Sequence, residues 1–131
     1  MKLKITYWVA TGLLSLVYIG SAIFYLTSIE MVQGMYAALG YPAYLVVPLA
    51  VAKLAGAAAI LSRVSIRLSD LAYAGMFFHL LLAISAHINA GDGGFVPALV
   101  ALIALGVSFQ LQNAVRKTPS ESVIPLGAQT A

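Results

Sequence analysis

The chain has 131 residues, of which 62% are hydrophobic and 8% are charged. Soluble domains carry about 25% charged residues, so this composition indicates a protein solvated by lipid and excludes an ordinary water-soluble domain. The seven basic residues give a formal charge of +3 but form no patch, which excludes a nucleic-acid surface. The absence of cysteine excludes thiolate catalysis, thiolate-held zinc and cysteine-ligated iron–sulfur clusters in this chain.

Four apolar segments predict an all-α fold, an integral membrane bundle of four transmembrane helices. They cover about residues 5–26, 44–61, 71–88 and 95–112. Each is close to the ~20 helical residues that cross a hydrocarbon core. Apolar residues also recur at helical spacing in the connection after the first segment: Met31, Val32, Met35, Tyr36 and Leu39. This spacing predicts a short amphipathic helix in that first outer loop.

The positions of lysine and arginine predict how the bundle is oriented. Six basic residues outside the spans fall on one side: Lys2, Lys4, Arg63, Arg67, Arg116 and Lys117. By the positive-inside rule, both termini are therefore expected to be cytoplasmic. Residues 1–113 are expected to form the transmembrane domain and residues 114–131 a disordered cytoplasmic tail. Ser69 or Asp70 is expected to cap the start of the third span.

Lys53 is the residue whose position most needs an explanation. It is the tenth residue of an 18-residue predicted span, about 13 Å of helix from either end and beyond the reach of a lysine stem. An ammonium group left in lipid would cost at least ~2.5–3.5 kcal/mol. The small-residue pairs Ala52/Gly56 and Ala55/Ala59 allow a neighbouring backbone to come close. Lys53 is therefore expected to face the bundle interior.

The partner of Lys53 must come from outside the spans if it is an acid, because none of the four spans contains Asp or Glu. His79 in the third span and Tyr18 in the first lie at a similar depth. The nearest outer acid along the chain is Glu30, at the start of the amphipathic helix. We hypothesise a buried ion pair or water-bridged cluster between Lys53 and Glu30, with a histidine nearby.

The two histidines, His79 and His87, do not have the geometry of a haem or metal site. Eight residues along one helix separate them by about 12 Å and roughly 80° of rotation, and the spans offer no further ligands. His87 precedes Asp92 by five residues near the outer boundary. This spacing favours a bond from His87 to a carboxylate or a backbone carbonyl, although His87 also belongs to the candidate cluster. No catalytic residue and no metal ligand is assigned.

Five short motifs carry a resemblance to a known family. They are LTSIEMV after the first span, GYP at residues 40–42, AKLAGA at 52–57, AYAG at 72–75 and S-x-H-x-x-x-G-D at 85–92. In this order, on four spans, the chain resembles the DoxX-like family of small four-helix bacterial membrane proteins, from about Tyr7 to Asn113. It departs from the family at Tyr25, where many members have lysine, and at Ile29, where a proline is missing.

The resemblance implies a four-helix bundle in the cell inner membrane. It also implies that the residues of the functional site are Lys53, Glu30, His87 and Asp92. The broader family includes a small subunit linked to thiosulfate:quinone oxidoreduction and members associated with oxidative-stress complexes. More distant relatives resemble the membrane chaperone of acetylcholine receptors.

Three functions stay open at this point. The first is a module, non-catalytic by itself, that uses the polar cluster to bind a hydrophobic small molecule or lipid, or to assist a membrane partner or a second copy. The second is an accessory subunit of a membrane oxidoreductase that contacts a bound quinone, since the chain has no group of its own to carry electrons. The third is a small oligomeric transporter. The cluster could also be structural, fixing helix register alone.

Overall fold

The structure, a computed structural model, describes residues 1–124, and the described part is all-helical. Its elements are α1 (Lys2–Thr27), α2 (Ile29–Ala38), α3 (Val46–Ser62), α4 (Ile66–Ala90) and α5 (Val96–Leu111), with single 3₁₀ turns at Ala43–Leu45 and Gln112–Val115. Four helices are long and apolar enough to cross a membrane, and α2 is the short helix expected after the first span. The prediction of an all-α bundle with four spans is confirmed.

The four long helices form a ring in chain order. α1 packs against α3 and α5, and α4 closes the ring by packing against the same two helices. The core contains large side chains such as Leu14, Ile60 and Met76, whereas large apolar side chains such as Leu16 and Phe78 point outward. An apolar outer surface around a core of buried side chains is the arrangement expected of a protein in lipid.

A buried hydroxyl network joins three of the four spans. Ser108 of α5 lies 2.6 Å from Thr11 of α1 and 2.7 Å from the Tyr73 hydroxyl of α4, measured between side-chain oxygens. All three residues are buried. Since lipid tails offer no hydrogen bonds, such interhelical contacts help to hold spans together in the membrane.

Helix α4 begins earlier than the sequence prediction. Ser65 precedes its first residue and accepts a hydrogen bond from the Leu68 N–H at 3.2 Å. Ser69 instead donates to the Ala59 carbonyl at 3.2 Å, which ties α4 to α3. The expectation that Ser69 or Asp70 caps this helix is therefore wrong, because the helix continues about one turn beyond its most apolar stretch.

Asp70 holds the segment that follows α5. Its carboxylate accepts hydrogen bonds from Gln112 at 3.2 Å, from Ser120 at 2.6 Å and from Ser122 at 3.2 Å. Ser120 is buried against this end of the bundle. Of the predicted disordered tail, residues 114–131, the structure describes the part up to residue 124, and residues 125–131 lie outside the described residues.

Candidate functional site

A cavity lies in the half of the bundle nearest α2. It has a volume of about 790 Å³ and is lined by all five helices, which contribute mostly apolar and aromatic side chains. We call it the α2-side cavity. A smaller cavity of about 390 Å³ lies between α3 and α4 towards the other end. The two cavities share five lining residues: Tyr18, Leu49, Lys53, Gly75 and His79.

Lys53 lies where the two cavities meet, and its side chain is enclosed by protein with 6% of the residue exposed. Its Nζ donates a hydrogen bond to Ser21 Oγ at 2.7 Å. The same nitrogen lies 3.7 Å from the centre of the Tyr25 ring, a geometry in which the negative face of the ring attracts a cation. Both contacts come from one face of α1.

Tyr18 and His79 form a second polar pair beside Lys53. The Tyr18 hydroxyl lies 2.9 Å from His79 Nδ1, and the two rings meet edge to face with centroids 5.6 Å apart. Tyr18 is buried and His79 is half-buried. Tyr18 lies at the depth of Lys53, as expected from the sequence, but its hydroxyl bonds to His79 and not to Lys53.

Tyrosines connect α2 to the cavity. The Tyr25 hydroxyl lies 2.9 Å from the Tyr36 hydroxyl, and the Tyr36 ring also contacts Tyr41 at 6.3 Å between centroids. Burial, and then the hydrogen bond to Tyr25, raise the pKa of the Tyr36 phenol above its usual range. Tyr36 therefore stays a neutral hydroxyl that can donate or accept a hydrogen bond at the rim of the cavity.

Glu30 is not part of this arrangement. It is exposed in the first turn of α2, and within residues 1–124 the one pair of opposite charges closer than 4.0 Å is His87–Asp92. Within the described residues, Lys53 and Glu30 therefore form no direct ion pair. The reason is the phase of α2: Val32 and Tyr36, four residues apart, face the bundle, and Glu30 lies about 200° around the helix from Val32.

His87 and Asp92 contact each other at the end of α4, where His87 Nδ1 lies 2.9 Å from Asp92 Oδ1. The same oxygen accepts the Gly94 N–H at 2.8 Å. Gly91 ends α4 with a φ of 68°, which glycine adopts without strain and which turns the chain back towards His87. His87 and Gly94 line the α2-side cavity, so this turn forms part of its rim.

We expect the Asp92 turn to lose protection in acid. The Gly94 N–H, together with His87, holds the pKa of the Asp92 carboxyl below its ordinary value of 3.8. Because the pKa of Asp92 is lower in the folded state, its carboxylate stabilises the turn fully at pH values above the unfolded-state pKa. This stabilisation disappears as the pH falls through the folded-state pKa. Asp92→Asn, which mimics the protonated acid, should therefore weaken hydrogen-exchange protection of residues 91–95 at neutral pH and have no effect once the pH is below the folded-state pKa of Asp92.

Asn89→Ala, an exposed change on the last turn of α4, is the control for this experiment and should match the wild type at both pH values. An equal difference between Asp92→Asn and the wild type at neutral and at acidic pH would contradict the role given to the carboxylate.

Three residues that contact Lys53 or lie one contact away from it were not predicted as site residues from the sequence: Ser21, Tyr25 and Tyr36. A signal for two of them was present, because Tyr18, Ser21 and Tyr25 follow one another at three and four residues and so share one face of α1. Tyr25 is also the position at which the family resemblance leads one to expect lysine. Here an aromatic ring replaces that second cation next to Lys53.

These features define a class of protein: an integral membrane protein of four spans, whose helices line an apolar cavity beside one buried lysine. The model of the DoxX-like family matches residues 9–109, and the chain belongs to this family. Comparison with curated proteins and with solved structures gives no match.

Proposed function

We propose that the protein binds a hydrophobic small molecule or lipid in the α2-side cavity and is not catalytic by itself. The observation that supports this most is the placement of Lys53, which is 6% exposed and belongs to a cavity of about 790 Å³ whose remaining walls are largely apolar. Ligand sites in proteins have volumes of about 300–1,000 Å³ and combine apolar walls with a few polar groups that orient the ligand.

The structural alternative for the cluster is a lysine that fixes helix register. A residue with that role needs a close-packed partner on a neighbouring helix, as in a buried polar pair of a coiled coil. Lys53 contacts Ser21 and Tyr25 of α1 but also faces two cavities. A cavity beside a buried cation favours ligand binding.

A quinone is the second candidate ligand, and the Tyr18–His79 pair favours it. Tyr18 and His79 line the cavity together with Lys53, so a ligand carbonyl there would meet hydrogen-bond donors that can also pass a proton. In this alternative the protein is an accessory subunit of a membrane oxidoreductase, and the electrons come from a partner.

The orientation of the site is inferred from six of the seven basic residues, all except Lys53, which lie at the end of the bundle opposite α2. The positive-inside rule places that end in the cytoplasm. We therefore propose that the α2-side cavity belongs to the outer half of the cell inner membrane, within reach of lipid and of the opposite compartment.

Filling the cavity tests the proposed function. Ala86 of α4 lines the α2-side cavity, whereas Ala74 of the same helix is exposed on the outer surface. Ala86→Phe should therefore reduce the lipid or quinone that co-purifies with the protein in mild detergent to a small fraction of the wild-type amount. The measurement is mass spectrometry of organic extracts, normalised to protein.

The matched control is Ala74→Phe, which adds the same ring outside the cavity and should leave the bound molecules unchanged. Wild-type protein that carries no bound molecule and instead co-purifies with another membrane protein would contradict ligand binding and favour the role in assembly.

A further inference from the structure

The ammonium of Lys53 has no counter-charge among the residues that the structure describes. The chain has four acidic residues. Glu30 is exposed on α2, Asp92 is bound by His87 and Gly94, and Asp70 and Glu121 lie at the opposite end of the bundle. Buried charges in proteins are nearly always paired, because an unpaired one carries a large desolvation penalty.

The contacts that Lys53 does make leave donor capacity free. An ammonium group has three N–H donors, and Ser21 accepts one of them. The Tyr25 ring attracts the cation but carries no formal charge. The site therefore presents one positive charge and unused donors to whatever occupies the cavity.

The surroundings of Lys53 also limit the size and shape of the occupant. The α2-side cavity of about 790 Å³ and the smaller cavity of about 390 Å³ meet at Lys53 and are otherwise largely apolar. Small residues of α3 and α4, such as Ala55, Gly56 and Ala72, line the smaller one. A ligand with its polar head at Lys53 can extend one aliphatic chain into the larger, α2-side cavity.

The number of cations indicates which anion fits. Planar two-pronged binding of phosphate favours arginine, and a doubly charged phosphate favours several cations, whereas one lysine balances the single charge of one carboxylate. Neither cavity is lined by arginine or by a second lysine. A carboxylate can take a charge-assisted hydrogen bond from Lys53 and further bonds from hydroxyl groups nearby.

We propose that the ligand is a single-chain lipophilic carboxylate, of the long-chain fatty acid type, whose head group supplies the missing negative charge to Lys53. This inference rests on the proposed function and names the class of its ligand. The aliphatic chain then occupies the apolar parts of the cavity.

Three probes with one chain and different heads test this inference: oleate, methyl oleate and oleylamine. Binding to the full-length protein in a nonionic detergent is measured by equilibrium dialysis in mildly alkaline buffer. Oleate should bind at least about tenfold more tightly than its methyl ester, the size of one charge-assisted hydrogen bond, and oleylamine should bind no better than the ester. Lys53→Met should remove the preference for oleate, and Lys4→Met, an exposed change at the start of α1, should retain it.

The possible outcomes distinguish a failure of the carboxylate inference from a failure of the proposed function. Equal binding of oleate and methyl oleate to the wild type would overturn the carboxylate inference and leave a lipophile-binding protein. Binding of none of the three probes would count against the cavity as a lipid site altogether. Both outcomes are decided with the wild-type protein, so the test survives a variant that fails to fold.

Discussion

Replacing Lys53 with methionine is expected to stabilise the protein freed of ligand and to abolish ligand binding at the same time. Methionine has a similar shape but removes an enclosed ammonium that has no counter-charge among residues 1–124. Exchanging buried charge for apolar volume is often stabilising by about 1–4 kcal/mol, and here it sacrifices one hydrogen bond to Ser21 and one contact with the Tyr25 ring. The net effect should be a thermal midpoint several degrees higher.

The measurement is thermal unfolding in detergent after exhaustive removal of bound lipid, because a ligand that binds only the folded state would stabilise the wild type by mass action. Glu30→Gln and Lys4→Met, both exposed, should leave the midpoint unchanged. A loss of stability of several kcal/mol in Lys53→Met would mean that its charge is balanced by a partner within the protein, and would contradict the unpaired ammonium.

Removing the hydroxyl of Ser108 is expected to cause a large loss of stability for a change of one atom. Ser108 Oγ is the shared partner of Thr11 and Tyr73. In Ser108→Ala both of these buried hydroxyls lose this partner, which should reduce the free energy of unfolding by about 1–3 kcal/mol. The measurement is the same thermal unfolding, and Ser85→Ala, an exposed change on α4, should have little effect.

A double-mutant cycle isolates the network itself. Ser108→Ala should reduce the free energy of unfolding less in a Tyr73→Phe background than in the wild type. In that background the hydrogen bond between the two residues is already absent before Ser108 is changed. Strictly additive effects of the two changes would contradict a direct interaction, and would mean that Ser108 acts through its size in the helix interface.

The part of this molecule that sequence could predict is the part fixed by hydrophobicity. Four apolar segments of membrane-spanning length define four helices whatever their partners are, because backbone groups in lipid must be satisfied within the helix. The same argument places Lys53 at mid-depth and facing inward. The helical period of the first outer loop likewise predicts α2, since Val32 and Tyr36 recur on one face.

The partner of Lys53 could not be predicted in this way, because it depends on rotation of helices about their own axes. Glu30 lies on the same end of the molecule as the cavity, but the phase of α2 turns its carboxylate outward. Ser21 and Tyr25 reach Lys53 because α1 packs directly against α3. The sequence does not specify that packing, because each of the four spans is apolar on all its faces.

The start of α4 illustrates a second limit. The stretch SRVSIRLSD begins with Ser62, the last residue of α3, and then contains three residues that could cap the next helix, Ser65, Ser69 and Asp70. Hydropathy favours the last two, next to the apolar stretch, but Ser69 is needed for contact with α3 and Asp70 for contact with the segment after α5. Tertiary contacts therefore decided which residue became the cap.

The most direct test of the account is the lipid accessibility of position 53. The chain has no cysteine, so a nitroxide can be attached at a single engineered site, Lys53→Cys or Val51→Cys. These positions differ by about 3 Å in depth, but Val51 is 57% exposed and Lys53 is 6% exposed. In bilayers, dissolved oxygen should relax the spin label at position 51 strongly and the label at position 53 much less. Equal relaxation at the two positions would place the Lys53 side chain against the acyl chains and contradict an enclosed site.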